Sequence, residues 1–177
     1  MVSLAAVSIV ERAWAALDAV PDPEVPVLSV RDLGIVREVR EHAGGVEVVL
    51  TPTYSGCPAT EVIAASVREA LQAAGLEPVT VTQRLAPAWT TDWISEAGRR
   101  KLREYGIAPP GPATGGEQVI RLHPNLHPHL HAAWRDVACP RCGSRHTERL
   151  SAFGATACKA LYRCTECRDP FEHFKPL

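Results

Sequence analysis

The chain has 177 residues, 46% of them hydrophobic and 22% charged, with a net charge of −1. That is enough for one ordinary core and a small appendage that needs a staple, and it argues against a general nucleic-acid binder. No stretch approaches the ~18 consecutive apolar residues of a membrane span, and the start lacks a basic region followed by an apolar run and cleavage site. A cytoplasmic protein with no membrane partner is therefore expected.

Residues 3–20 read as an amphipathic helix capped by Ser3, with Leu4, Val7, Val10, Trp14 and Leu17 at three- and four-residue steps. Pro21 and Pro23 end it. The segment Asp22-Pro-Glu-Val-Pro-Val-Leu-Ser-Val-Arg-Asp-Leu-Gly34 is too rich in proline for a helix and should form a loop or extended arm. Ile35–Glu41 and Val46–Thr51 read as β-strands joined across Gly44-Gly45 in a hairpin. Pro58 can open a helix to about Ala74, with Ile63, Val67, Ala70, Leu71 and Ala74 on one face and Gly75 as its terminator. A strand from Val79 to Leu85 follows, then a helix over 93–105 capped by Asp92, with Ile94, Ala97, Leu102 and Tyr105 roughly in phase. Trp89 and Trp93 flank Asp92; core packing accounts for one, and a partner surface is open for the other.

Residues 108–116, with three prolines and three glycines, mark a linker. A brief β-like run, Gln118–Leu122, precedes His123, His127, His129 and His131. The last three alternate as on one face of a strand, a spacing compatible with a metal, but the two prolines there favour a solvated loop. The expected fold is α+β: a domain over 1–107 (helix, β-hairpin, helix, strand, helix), a linker with the histidine segment over 108–133, and a ribbon over 134–177.

Two Cys-x-x-Cys pairs anchor that ribbon, Cys139-Pro-Arg-Cys142 and Cys164-Thr-Glu-Cys167, separated by 21 residues. Each pair forms a knuckle offering two thiolates, and two knuckles close a tetrahedron with no open position, the mark of a structural zinc site. A disulfide pair or an iron-sulfur centre is the alternative. Cys158 lies between the knuckles and has two readings, an additional exchangeable ligand or a small buried side chain, the second being favoured. In a reducing compartment Cys57 and Cys158 are individual thiols.

Cys57 stands between Gly56 and Pro58, after a strand and before a helix. Unpaired amides and the helix dipole favour a thiolate there, and Thr51, Thr53, Tyr54 and Ser55 supply hydroxyls nearby. A buried structural cysteine at a strand-to-helix turn is an equal alternative. Asp22 and Glu24 are two carboxylates in a rigid loop that can aim them into a pocket. Beside a thiolate they would suggest metal handling, whereas the plainer reading is a turn-capping Asp and a solvated Glu.

The 22–34 arm and Thr51-Pro-Thr-Tyr-Ser-Gly-Cys-Pro-Ala59, in that order, resemble the two signatures of the small α+β domain of SufT-type iron-sulfur assembly factors and of the eukaryotic cytosolic iron-sulfur targeting complex. Trp89-Thr-Thr-Asp-Trp-Ile-Ser95, Gly106-Ile-Ala-Pro-Pro110 and Phe153-Gly-Ala-Thr-Ala-Cys-Lys-Ala-Leu-Tyr-Arg-Cys164 resemble the PaaD-type family, accessory subunits of the phenylacetyl-CoA epoxidase system of phenylacetate degradation. The resemblance implies a maturation role, on the di-iron site of the oxygenase subunit or the iron-sulfur cluster of the reductase subunit, and no catalysis by this chain itself. It implies Cys57 as the working and cofactor-binding thiol, Asp22 and Glu24 as its acidic pair, and Thr51 and Thr53 as pocket residues, with iron or a cluster bound stably, passed on transiently or only escorted by protein contacts. It leaves a homo-oligomer open.

Two other classes compete. A cysteine-nucleophile enzyme would need a base for Cys57, and the nearest histidine in sequence, His42, belongs to the expected hairpin turn. A zinc-ribbon nucleic-acid or protein adaptor would use 134–177, where eight cationic and five anionic side chains leave +3. Four thiolates on one Zn(II) contribute −2, and the remainder is thin for phosphate binding.

Overall fold

The computed structural model describes residues 7–54, 56–112 and 137–177. The expected cap Ser3, the hydroxyl of Ser55, the Gln118–Leu122 strand and the four histidines from His123 to His131 lie outside the described residues. Two compact units divide the chain, 1–98 and 99–177. Each is a mixed assembly of helix and strand, and the fold is α+β.

The first helix, α1, runs Ile9–Asp18. It starts later than its apolar pattern suggested because Ser8 stops it: Ser8 Oγ accepts from the Glu11 amide and Glu11 reaches back to the Ser8 amide at 2.8 Å, a reciprocal capping box. Ala13 and Leu17 are its buried positions, while Val7 is exposed and Trp14 is half-buried with the Arg31 guanidinium over its ring.

Strands β1 (Val36–His42) and β2 (Gly45–Leu50) pair antiparallel, with His42 opposite Gly45. The two residues between, Ala43 and Gly44, both have positive φ (49° and 78°), as a two-residue turn that follows the twist of the strands requires. Helix α2 (Ala59–Ala73) then carries the chain back, so that β3 (Val79–Gln83) lies parallel to β2 in the order β1-β2-β3. All six residues of β2 are buried, because it is the central strand. The α2 residues Ala59, Ile63, Ala64, Val67 and Leu71 supply the other buried side of this core; Ala70 and Ala74, expected on that face, are only half-buried. Within β2, Glu47 is buried and held by Arg40 at 2.8 Å and by Thr82, and the Arg40 hydrogen bond keeps its carboxyl below the ordinary range.

Asp92 does not cap the next helix. It sits inside a single 3-10 turn over Thr91–Trp93, Ile94 is extended, and α3 runs Glu96–Tyr105. Ser95 is the cap, its hydroxyl accepting from the Gly98 amide at 2.9 Å. Trp89 is buried, donating to the Leu33 carbonyl, whereas Trp93 is half-buried with Arg37 over its ring at 3.5 Å. Tyr105, expected in phase with the buried face, is exposed.

In the second unit, β4 (Ile107–Ala108), β5 (Thr147–Ser151), β6 (Lys159–Cys164) and β7 (Pro170–Phe174) form one sheet in the order β4-β7-β6-β5. Ile107 and Ala108 therefore add a short parallel strand ahead of the linker segment. One face gathers Ala108, Val137, Cys139, Ala160, Tyr162, Cys164 and Phe171 into a small core ending at the cysteines.

Candidate functional site

Cys139, Cys142, Cys164 and Cys167 bring their four sulfurs within 4.8 Å of one another. Cys139 and Cys167 sulfurs are 3.7 Å apart, and those of Cys142 and Cys164 are 3.6 Å apart. A tetrahedral ion with metal–sulfur bonds of about 2.3 Å needs sulfur–sulfur edges of about 3.8 Å, so one ion fits and the tetrahedron closes without an open position. Sulfurs so spaced are far beyond the roughly 2.05 Å of a disulfide.

The two knuckles are built alike. The Cys139 amide donates to the Ser144 carbonyl and the Cys164 amide to the Asp169 carbonyl, each closing a loop five residues on. Just inside each closure the residue after the second cysteine has positive φ, Gly143 at 75° and Arg168 at 66°. Glycine signals this backbone in the sequence, but arginine gives no such signal, so only the first half of the pseudo-symmetry was readable.

The clustered thiols titrate as a coupled set. The Cys167 amide, seconded by that of Glu166 and opposed by burial, draws Cys164 down to about 7. The Asp169 amide acts the same way on Cys167, but burial and the neighbouring thiols outweigh it and push Cys167 up to about 12. Four thiolates this close repel, and a bound divalent cation is what lets all of them ionise together. Cys158 is not one of the four; it is buried at the foot of β6, with its sulfur 3.0 Å from the Thr156 hydroxyl.

Cys57 sits at the other end of the chemistry, half-buried where β2 gives way to α2. Its amide donates to the Tyr54 carbonyl, and its own carbonyl accepts from the Thr60 amide and hydroxyl. Pro58 is the cap residue of α2 and contributes no side-chain hydrogen bond, and the cysteine immediately precedes it. Thr51 is buried and its amide donates to the Ile35 carbonyl, tying the Cys57 loop to the end of the 22–34 arm; Thr53 is half-buried. The Arg84 amide donates to the Leu50 carbonyl, so the loops after β2 and β3 leave from the same edge. The carboxyl ends of parallel strands are where ligands bind in open sheets.

Asp22 is buried, and its Oδ1 accepts from the Glu24 and Val25 amides at 2.9 and 2.7 Å. Glu24 is half-buried. A lock missed in the sequence lies further along the arm: Ser29 and Asp32 exchange side-chain-to-amide hydrogen bonds, and Asp32 Oδ1 also accepts from the Ser95 hydroxyl. The spacing Ser29-x-x-Asp32 was its readable signal.

Among the described residues no helix is long and apolar enough to cross a membrane. Residues 11–83 match a family model described as iron-sulfur cluster assembly protein, and residues 125–175 match one described as PaaD zinc beta ribbon domain. A putative 1,2-phenylacetyl-CoA epoxidase subunit of Escherichia coli is 49% identical over 166 residues, covering 94% of this chain and 92% of that protein. The "Fe-S protein maturation auxiliary factor" of Porphyromonas gingivalis is 36% identical over 88 residues, covering 49% of this chain and 83% of that protein. A domain of unknown function from Bacillus anthracis, solved by crystallography, is 25% identical and superposes with a TM-score of 0.49 over 53% of this chain and 91% of its own. The two matched modules in this order, and similarity running through both, show that the chain belongs to the PaaD family, an iron-sulfur cluster assembly domain followed by a PaaD zinc β-ribbon.

Proposed function

We propose that this protein is an accessory factor of a multicomponent phenylacetyl-CoA epoxidase, acting on the oxygenase or reductase subunit to help install its iron or iron-sulfur centre. The ribbon thiols hold one structural Zn(II), and Cys57 is the working thiol. The observation that carries this reading is the position of Cys57: a half-buried cysteine just before the start of α2, in the segment that follows the β2 strand of the parallel β2–β3 pair, in a chain whose four-cysteine cluster is closed. A closed tetrahedron cannot pass a metal on without dismantling itself, whereas a single accessible thiol can accept and release iron as cargo. Thr51 and Thr53 stand in the same β2-to-α2 segment as that thiol and are assigned to its pocket, and Asp22 and Glu24 belong to the arm joined to that segment through the Thr51 amide. The similarity to an epoxidase subunit and to a maturation factor supports the same partner and cargo.

Serine in place of Cys57 exchanges one small side chain for another at a position whose hydrogen bonds are made by its backbone. Cys57→Ser is expected to melt within about 1 °C of the parent, the shift of an ordinary surface change, and to keep the ribbon metal. Epoxidase produced beside it in cells lacking the parent gene should contain less than about a tenth of the iron and activity. A fully iron-loaded, active epoxidase made beside Cys57→Ser refutes the assignment.

A further inference from the structure

The turn joining β5 to β6 is fixed in place by a set of bonds that serve no core. The Gly154 amide donates to the Lys159 carbonyl at 2.8 Å, the Lys159 amide to the Thr156 carbonyl at 3.1 Å, and the Phe153 amide to the Ser151 hydroxyl at 3.2 Å. Glu172 reaches in from β7 to accept from the Ala155 amide at 2.8 Å, and its other oxygen is anchored 2.6 Å from the Lys159 ammonium, whose side chain is only 5% exposed. The fit is close enough that a Cβ on Gly154 would lie 2.6 Å from Glu172 Oε1. What this scaffold holds up is Phe153, 65% exposed, whereas Phe171 and Phe174 are buried at 5% and 2%. Leu150, three residues earlier on β5, is 48% exposed.

An aromatic held out in water by a pre-ordered loop has already met the ordering cost that binding would otherwise exact, which is how a hot spot gains affinity. The charge around it points to the kind of partner. Residues 149–157 contain no carboxylate, the one that enters the loop is taken up by Lys159 and Ala155, and the Lys175 ammonium stands 4.5 Å from the Phe153 ring centre. The charge shown against this apolar tip is therefore a cation.

We propose that Phe153 and Leu150 form the ribbon's docking tip, inserting Phe153 into an apolar pocket with an acidic rim on a subunit of the epoxidase. The partner's identity rests on the function proposed above; the docking residue does not. The test uses the full chain immobilised against the purified oxygenase and reductase subunits of the epoxidase, each in turn, with zinc content and melting temperature measured on every variant. Phe153→Ala should weaken binding about tenfold or more, Lys175→Glu should weaken it and reverse the sign of its salt dependence, and Phe153→Trp should retain it, all with zinc unchanged. Parent protein that fails to bind the subunits overturns the partner assignment and the proposed function with it. Parent that binds while Phe153→Ala binds within twofold overturns the docking tip alone. A parent that sediments as a dimer, converted to monomer by Phe153→Ala with subunit binding intact, makes the occupant a second copy and also overturns the proposal, as does binding of single-stranded RNA lost in the same variant.

Discussion

His173 shows how a single side chain can set the acid limit of the second unit. Its strand position places it against the edge of Tyr162, 4% exposed, and its Nδ1 has no hydrogen-bond partner among the described residues. Burial favours the neutral ring and lowers its pKa from 6.5 to about 4. Above 6.5 the ring is neutral in both folded and unfolded chains and contributes nothing to pH dependence. As pH falls through 6.5 the unfolded chain takes up the proton first, so stability is lost progressively down to about pH 4, by roughly 3 kcal/mol in total. His173→Leu should remove that component: urea midpoints of parent and variant measured from pH 7.5 to 5 are expected to diverge towards acid, and parallel curves would show that the ring carries no such linkage. Replacing an unpartnered buried nitrogen by carbon should also leave the variant at least as stable at pH 7.5.

At the scale of elements, the first hairpin carries an uncorrected strain. Ala43 occupies a left-handed conformation at φ 49°, which costs a residue with a Cβ about 1–2 kcal/mol, while Gly44 beside it is suited to its own φ of 78°. Asparagine tolerates that region, and Asn-Gly is the favoured pair for this turn. Ala43→Asn is expected to stabilise the first unit by about 0.5–1 kcal/mol, a rise of roughly 2–6 °C for a domain of this size. A lower melting temperature in calorimetry would mean that the exposed methyl of Ala43 does more than the backbone geometry allows.

At the scale of the whole molecule, the two units draw on different sources of stability. Residues 1–98 bury a central strand under helical cover, whereas the later unit has a core of a few side chains that ends on the cysteine cluster. A segment that small is expected to fold only with an ion on its four thiols, so a strong chelator should melt the ribbon and leave the first unit folded. Amide exchange is the direct measurement: after chelation, protection should vanish in β5, β6 and β7 and persist in β2 and α2. The same pattern is expected for Cys139→Ser without chelator. Loss of protection in both units together would show that they unfold as one, and elemental analysis giving less than half an equivalent of zinc would remove the premise.

The sequence by itself determined whatever depends on neighbours in the chain. Two Cys-x-x-Cys pairs specified which four cysteines cluster because each knuckle is a local turn, and the three-to-four-residue apolar rhythm and Gly75 specified α2 because a helix closes its hydrogen bonds within itself. Helix starts were less legible where two caps competed: Ser8 with Glu11 superseded the longer apolar pattern, and Ser95 displaced Asp92 because an extended Ile94 interrupts the helix. Only the tertiary structure decided what depends on distant partners. It paired β3 parallel to β2, added Ile107 and Ala108 to a sheet some sixty residues downstream, and left Phe153 in water while Phe171 and Phe174 went inside. Periodicity cannot tell these phenylalanines apart, since burial is settled by which strand lies opposite, and that choice is made through space rather than along the chain.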